Sequence, residues 1–283
     1  MGHALVPHYL FVVTLLGRAM SKFSVGLVVY KTDVAELKRL FDLLAQECFL
    51  SQMFVFDNGG DEQLKNEVLQ RGWRYLSCGD NIGFGAGHNR ILSELGPEHG
   101  EFHWIVNPDL EWDNSPTAEM AHYLTMHPKC GAVMPDVLNL DGSRQYLAKS
   151  LPTPMILLGR RFFANSKKMQ ALIRQYEMRD QSYDEPFESP LISGCCFFTR
   201  QSLVRDIKGF DERYFLYLED YDLCRKIWCH GYLLAVLPFV QVKHGHGRAS
   251  YQFGRALWLH IRSACKYFNK WGWLVDRDGR PRL

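Results

Sequence analysis

Short β-rich runs alternate with single helical segments over the first half of this 283-residue chain. The runs fall at residues 25–30, 53–56, 73–78, 102–106 and 131–135. Between them, apolar residues recur at helical spacing, as at Leu37, Leu40, Phe41 and Leu44. Strands that alternate with helices form βαβ units, in which helices cover both faces of a parallel sheet. The pattern therefore predicts an α/β fold with a mostly parallel central sheet.

Polar residues stand where three of these strands end. Asp57 and Asn58 follow the second run, Asn81 follows the third, and Asp109 closes the Asn-Pro-Asp sequence after the fourth. Ligands of parallel sheets bind outside the carboxyl ends of the strands. A carboxylate there can hold a divalent cation that in turn binds a diphosphate, although an isolated Asn-Pro-Asp is also typical of a turn or helix cap. Taken together, the positions predict a ligand site at one sheet edge.

Gly83, Gly85 and Gly87 open the helix that follows the third strand. They resemble a dinucleotide fingerprint, but the third glycine comes two residues after the second instead of three, and the fingerprint normally follows the first strand. This spacing disfavours an NAD-dependent oxidoreductase. The glycines indicate either a close approach of the backbone to a ligand or a tight turn.

Residues 151–190 interrupt the alternation. Prolines stand at both ends of this stretch, and between them lies a basic helical patch that contains Arg160, Arg161, Lys167 and Lys168. We expect a mobile, lid-like excursion from the sheet, with regular structure resuming in a strand over residues 194–199.

A helix predicted over residues 219–230 begins with three acidic side chains, Glu219, Asp220 and Asp222, directly after an aromatic run. Apolar surroundings raise the pKa of a carboxyl group, which suits a general base. Acidic residues in a first turn also stabilise the helix dipole without any catalytic role. The sequence leaves both interpretations open.

Two histidines, His244 and His246, lie in a glycine-flanked loop after the last predicted strand. Lys243 and Arg248 stand beside them. Imidazoles and basic side chains in one loop favour an anion or metal site.

The charge of the chain is unevenly distributed. From Lys243 onward there are nine Lys or Arg and two Asp or Glu, so this end of the chain carries +7. Since the net charge is +2, the preceding residues carry −5. A basic, aromatic end on an acidic body indicates an anionic surface or substrate, not nucleic acid. A solvated helix face is the alternative explanation.

A helix over about residues 253–270 is predicted inside this basic end. Its apolar residues, expected to pack on the body, are Phe253, Leu257, Ile261, Cys265 and Phe268. We expect Trp271 and Trp273 beyond it to contact an anionic membrane surface, because tryptophan and basic residues together are typical of interfacial segments.

Residues 1–20 are set apart as an uncertain N-terminal extension. The apolar stretch from Ala4 to Leu16 is too short to span a bilayer, which needs about 20 residues, and it lacks the positively charged start of a signal peptide. A peripheral anchor is the minority interpretation. The eight cysteines form no C-x-x-C pair, so we expect reduced thiols and a cytoplasmic protein.

The order of these features resembles the inverting glycosyltransferases of family 2 with the GT-A fold, and among them the bacterial rhamnosyltransferase-like branch. The resemblance covers residues 23–250. It is carried by Asp57-Asn58, Asn81-x-Gly83-Phe84 with Asn89, Asn107-Pro108-Asp109, and Gly209-Phe210-Asp211-Glu212 followed by Glu219-Asp220-x-Asp222. It implies a GT-A domain over residues 21–250, with a nucleotide-binding half at 23–137, an acceptor or catalytic half at 187–250, and a basic aromatic helix and tail at 251–283.

The resemblance also assigns roles to individual residues. Nucleotide-sugar binding is expected from Tyr30, Asp57, Asn58, Asn81, Gly83, Phe84, Asn89, Asn107 and Asp109. Asp220 matches the catalytic base, with Glu219 and Asp222 orienting it or binding the acceptor. Asp109 and His244 would hold Mg²⁺ or Mn²⁺, and His246 and Arg248 would add contacts to the diphosphate or the metal. Asn107 departs from the family by replacing the first acid of Asp-x-Asp, which removes a charge from the metal.

The implied activity is inverting transfer of a sugar, with L-rhamnose from dTDP-L-rhamnose favoured. The expected acceptor is a hydroxyl of a bacterial surface polysaccharide or of a polyprenyl-linked saccharide. A UDP-hexose or UDP-N-acetylhexosamine transferase of the same fold is one alternative, and a non-catalytic nucleotide-sugar binding protein is another. We expect a cytoplasmic enzyme, with peripheral contact at the cytoplasmic face of the inner membrane as an open possibility.

Overall fold

A computed structural model describes residues 21–245 and 254–273 of the chain. The first half alternates as predicted. Its elements are β1 (Phe23–Val29), α1 (Val34–Leu44), β2 (Leu50–Asp57), α2 (Glu62–Gln70), β3 (Arg74–Leu76), α3 (Phe84–Glu94), β4 (Phe102–Val106), β5 (Leu110–Glu111), α4 (Thr117–Met126) and β6 (Cys130–Leu138). All seven residues of β1 are buried, because the strand is covered on both faces.

The second half contributes both helices and strands. Its elements are α5 (Pro154–Phe162), α6 (Lys167–Tyr176), β7 (Phe187–Glu188), β8 (Cys196–Arg200), α7 (Gln201–Asp206), α8 (Glu219–Cys229), β9 (Leu233–His244) and α9 (Arg255–Trp271). No helix among the described residues is both long enough and apolar enough to cross a bilayer.

The strands of the described residues form one mixed sheet in the order β3-β2-β1-β4-β8-β6-β9-β5, with β7 paired to β9. β1, β2, β3 and β4 pair in parallel, as do β6 and β9. β8 runs antiparallel between β4 and β6. The predicted α/β class and mostly parallel sheet are confirmed, and the insertion of β8 brings the carboxyl end of β4 beside the chain that enters β8.

Residues 151–190 differ from the lid-like excursion predicted for them. They form α5 and α6, whose buried side chains Ile156, Leu157, Met169 and Tyr176 share a second hydrophobic core with α9. Apolar residues at helical spacing on both helices can be buried only against another element, and α9 supplies that surface.

The buried face of α9 also differs from the prediction. Ala264, Tyr267, Phe268 and Trp271 are buried, whereas Cys265 is exposed. Ile261 is exposed as well. The predicted residue Phe268 is buried, but the face that packs on the body also contains Tyr267 and Trp271, because these aromatic side chains bury the larger surface. The predicted first residue of this face, Phe253, lies outside the described residues.

Candidate functional site

Asp57, at the end of β2, is buried and bonded entirely within the chain. Its Oδ1 accepts from the Gly59 N–H at 2.6 Å, and its Oδ2 accepts from the Asp61 N–H at 2.6 Å and the Tyr75 hydroxyl at 2.9 Å. The carboxylate therefore shapes the turn after β2. A direct nucleoside contact, as the sequence predicts for Asp57, would compete with these three donors.

Asn58 and Asn81 organise the loop that precedes α3. Asn58 Oδ1 accepts from the Ile82 N–H at 2.9 Å, and Asn81 Oδ1 accepts from the Gly83 N–H at 3.0 Å. Tyr30, just beyond β1 at the same sheet edge, remains 47% exposed. Of the predicted nucleotide-binding residues, Tyr30 is thus well placed for a ligand, whereas the two asparagines hold the loop.

Gly83 brings this loop against the segment that leads into α8. Its φ is +95°, and a Cβ at this position would lie 2.3 Å from the Phe215 carbonyl oxygen. The Phe84 N–H donates to the same oxygen at 3.1 Å. Only glycine combines this backbone conformation with so close an approach.

Asn89, on α3, makes a second connection between the two halves. Its Nδ2 donates to the Phe210 carbonyl at 2.9 Å and to Glu212 Oε1 at 3.0 Å, and its Oδ1 accepts from the Phe210 N–H at 2.8 Å. The asparagine motif and the Gly-Phe-Asp-Glu motif, more than a hundred residues apart, are therefore one structural unit. The side chain of Asn89 thus has a packing role, and its nucleotide contact stays a prediction.

Asp109 and His244 meet because β5 pairs with β9, which places Leu110 opposite His244. His244 Nε2 lies 3.1 Å from Asp109 Oδ1, and Asp109 keeps 33% of its side chain exposed. The predicted metal residues are thus brought together at an accessible position.

Gln145 and Asn107 set the orientation of the His244 ring. Gln145 Oε1 lies 3.1 Å from Nδ1, and Asn107 Nδ2 lies 3.2 Å from Nε2. With a proton on Nδ1 the ring would donate to Gln145 Oε1, and Nε2 would accept from the Asn107 amide beside Asp109 Oδ1. An imidazole nitrogen next to a carboxylate oxygen is a donor set that suits a divalent cation.

Among residues 21–245 and 254–273, no third His, Cys, Asp or Glu completes a metal-binding cluster. Two protein ligands nevertheless fit a cation of the Mg²⁺ type, which commonly takes its remaining ligands from water and substrate phosphates. His246 and Arg248, predicted to add contacts, lie outside the described residues.

Glu219 and Asp220 begin α8 after two non-glycine residues in the left-handed region, Tyr217 at φ +69° and Leu218 at φ +65°. Backbone strain of this kind is found where a structure must aim particular side chains. Here it precedes the helix turn from which the Asp220 carboxylate reaches Gly194 at the sheet edge.

The two carboxyl groups lie in a desolvated environment. Glu219 is 6% exposed, and its Oε2 has no hydrogen-bond partner among the described residues. Burial, together with the neighbouring Asp220, raises the pKa of Glu219 to about 8. Burial also raises the pKa of Asp220. Asp220 Oδ2 accepts from the Gly194 N–H at 3.0 Å, so its position is held by the backbone.

The segment entering β8 joins the two groups of acidic residues. The Cys195 carbonyl oxygen accepts from the Asn107 N–H at 2.8 Å, and the preceding residue, Gly194, donates its N–H to Asp220. A methyl group on Gly194 would stand 3.1 Å from Asp220 Cβ and 3.5 Å from Phe84 Cε1. Gly194 was not predicted as a site residue, because a glycine at a strand entrance carries no functional signal in sequence.

Asp222, predicted to orient Asp220 or to bind the acceptor, directs its carboxylate at α9 instead. It is fully buried, and its carboxylate accepts from Lys270 Nζ at 2.8 Å and Trp271 Nε1 at 2.8 Å. Trp271 is buried too, and its ring lies 4.3 Å from the guanidinium of buried Arg225. The expectation that Trp271 contacts a membrane is wrong, because its indole anchors α9 to α8.

Comparisons with known proteins agree with this arrangement. The chain is 30% identical over 211 residues to an N-acetylglucosaminyl-diphospho-decaprenol L-rhamnosyltransferase of Mycobacterium tuberculosis, an alignment that covers 68% of this chain and 66% of that protein. It is 22% identical to the low-salt glycan biosynthesis hexosyltransferase Agl10 of Haloferax volcanii, over 72% of this chain and 61% of that protein. The chain thus spans just under two thirds of these curated relatives. No family model matches it.

Solved structures share the fold. GalNAc-T7 with UDP, GalNAc and Mn²⁺ superposes with a TM-score of 0.62 at 13% identity, over 89% of this chain and 50% of that one. A mannosyltransferase of Pyrobaculum calidifontis with GDP-Man and Mn²⁺ superposes with a TM-score of 0.57 at 15% identity, over 93% of this chain and 71% of that one. These similarities confirm the predicted GT-A fold.

Proposed function

Since the chain belongs to the rhamnosyltransferase-like glycosyltransferases of family 2 with the GT-A fold, we propose that it transfers L-rhamnose from dTDP-L-rhamnose, with inversion, to a hydroxyl of a lipid-linked saccharide. The mycobacterial relative, an N-acetylglucosaminyl-diphospho-decaprenol L-rhamnosyltransferase, supports this acceptor class. A UDP-hexose or UDP-N-acetylhexosamine remains the alternative donor, because solved neighbours were bound to UDP and to GDP-Man.

The observation that carries the proposal is the position of Asp220 beside Gly194. The carboxyl group is held at the entrance of β8, and the same segment is bonded to Asn107 at the end of β4. Asn107 in turn contacts His244, which faces Asp109. A basic carboxylate and a site suited to a diphosphate are therefore connected through the short segment that contains Gly194 and Cys195.

Asp220 has the properties of a general base for this transfer. The acceptor oxygen would form a bond to the anomeric carbon while the bond from that carbon to the diphosphate oxygen breaks, and the hydroxyl proton passes to Asp220. A carboxylate whose pKa is raised by burial accepts a proton more readily than an exposed one. Glu219, protonated at neutral pH when its pKa is about 8, would add no second negative charge next to the base.

Asp109 and His244 would hold Mg²⁺ or Mn²⁺ in this proposal. When bound, the cation supplies Lewis-acid stabilisation of charge on the departing diphosphate. Asn107, in place of a second acid, keeps the protein contribution to one negative charge, so binding of the metal should depend strongly on the bound nucleotide.

The proposal is tested by transfer assays with dTDP-rhamnose and a synthetic N-acetylglucosaminyl diphosphate carrying a short alkyl chain, in the presence of Mn²⁺. We expect Asp220→Asn to lower turnover by about 10²-fold or more while dTDP binding stays within about twofold. Asp206→Asn, an exposed aspartate on α7, is the matched control. Near-normal turnover of Asp220→Asn would remove Asp220 from the base role, and failure of the wild type to form product from any nucleotide sugar would leave a binding protein.

A further inference from the structure

Charge is segregated more sharply in the fold than along the chain. The helices α5, α6 and α9 contain nine Lys or Arg and no Asp or Glu. The remainder of the chain contains 24 Lys or Arg and 31 Asp or Glu. Three helices of a nearly neutral protein therefore carry +9, whereas everything else sums to −7.

These three helices form one packed unit. Ile156 and Leu157 of α5 and Met169 of α6 share their core with Tyr267 and Phe268 of α9. The basic residues are consequently brought together in one part of the molecule, although two of them are paired with acidic side chains, Lys270 with Asp211 and Asp222 and Arg174 with Asp180.

The same unit exposes large apolar side chains. Of the twelve exposed large hydrophobic residues in the described part of the chain, six lie on α5 and α9 or directly after them: Met155, Leu158, Phe163, Trp258, Ile261 and Trp273. Phe163 is 64% exposed and Trp258 is 58% exposed. Basic groups accompany them, since Arg262 lies 5.3 Å over the Trp258 ring and Lys167 and Lys168 are exposed.

The unit adjoins the proposed catalytic helix. Ser263 Oγ donates to the Leu216 carbonyl at 2.8 Å, and the His260 ring packs 5.4 Å from that of Tyr217. Leu218 is buried in the same core. A binding partner on the exposed side of this unit would lie near the start of α8, which contains Glu219 and Asp220.

We propose that this basic apolar face, formed by the exposed side chains of α5, α9 and the start of α6, docks on an anionic phospholipid bilayer. Exposed aromatic and aliphatic side chains enter the interface, and Lys and Arg contact the headgroups. A second copy of the chain fits less well, because a two-fold contact would bring the same positive face against itself. The inference rests on the proposed function in one respect: a lipid-linked acceptor gives the docking its purpose.

The docking is measured by co-sedimentation of the full chain with vesicles, which requires no turnover. We expect binding to phosphatidylcholine vesicles that contain phosphatidylglycerol, weaker binding at high salt, and little binding to phosphatidylcholine alone. Each basic residue at such a surface contributes about fivefold to the partition coefficient. Lys167→Gln with Lys168→Gln should therefore lower it by about 25-fold, and Trp258→Ala by roughly tenfold.

Matched control substitutions change exposed residues outside the three helices. Lys129→Gln removes an exposed lysine, and Phe239→Ala removes an aromatic side chain that is 58% exposed, as Trp258 is. Both should bind vesicles as the wild type does. Thermal unfolding of all variants separates loss of docking from loss of the fold.

Three results would overturn the inference: no preference for anionic vesicles, equal losses in the control variants, or a stable dimer in sedimentation velocity that Trp258→Ala dissociates. Transfer to the short-chain acceptor distinguishes the two proposals. Transfer without vesicle binding would refute the docking alone, and vesicle binding without transfer would refute the proposed activity alone.

Discussion

Replacing Glu219 with glutamine should make the stability of the protein less dependent on pH. Glu219 is almost fully buried, one of its oxygens lacks a hydrogen-bond partner among the described residues, and Asp220 is its direct neighbour. Burial and this neighbour raise its pKa from 4.5 to about 8. The Glu219→Gln substitution keeps the shape of the side chain and removes the ionisation.

The direction of the effect follows from proton linkage. Between about pH 4.5 and 8 the folded protein retains a proton on Glu219 that the unfolded chain releases. The free energy of unfolding therefore falls as pH rises, by about 1.4 kcal/mol per unit inside this window. Between pH 5.5 and 7 the wild type should lose about 2 kcal/mol relative to Glu219→Gln.

Urea unfolding followed by tryptophan fluorescence at several pH values measures this difference. Comparison of the two proteins cancels the contributions of titrating groups that do not interact with Glu219, such as buried His88 and His103, whose pKa values are lowered by burial. Glu185→Gln, at an exposed glutamate, controls for the change in net charge and should follow the wild type. Parallel pH profiles for wild type and Glu219→Gln would refute the reasoning.

Three further substitutions test other parts of the site. Gly83→Ala should destabilise the fold by more than about 2 kcal/mol, because a Cβ would meet the Phe215 carbonyl at 2.3 Å at a positive φ that already costs an alanine about 1 kcal/mol; urea unfolding measures it. Trp271→Phe should cost about 1.5–3 kcal/mol in the same assay, because Asp222 loses a charged hydrogen bond at 2.8 Å. His244→Ala should weaken Mn²⁺ binding to the dTDP complex by about tenfold or more, measured by calorimetric titration.

Each of these substitutions has a control in the chain. Gly72 also has a positive φ, +74°, but nothing lies within 4 Å of its missing Cβ, so Gly72→Ala isolates the cost of the backbone conformation. Trp273→Phe and His230→Ala change exposed residues of the same types. Equal destabilisation by the two alanine substitutions would contradict the close approach proposed for Gly83. Unchanged Mn²⁺ affinity in His244→Ala would remove the histidine from the metal site.

The sequence by itself determined the sheet and the edge at which the site lies. Buried strands must be apolar on both faces, and a single helix between two of them forces a parallel connection. The polar residues that end β2 and β4 are therefore brought to one edge by chain geometry alone. The motifs around Asp109 and Asp220 could be found because their spacing is local and matches a known family.

The partners of those residues were decided only in the tertiary structure. Gln145 contacts His244 across 99 residues of chain, and no local pattern marks a glutamine that will orient a distant imidazole. Asn89 was expected at the nucleotide, and only the tertiary structure shows it bonded to the Phe210 N–H and carbonyl, which lie 121 residues further along the chain.

The tertiary structure also decided the environment of Asp222 and the face of α9 that is buried. The three acids of this first turn are equivalent in sequence, but helical geometry points their side chains in different directions, so that Asp220 faces Gly194 at the sheet edge while Asp222 faces Lys270 and Trp271. Apolar residues lie all around α9, and the sequence therefore admits more than one buried face. Packing against α5 and α6 selects the face that contains Tyr267, Phe268 and Trp271 and leaves Trp258 at the surface.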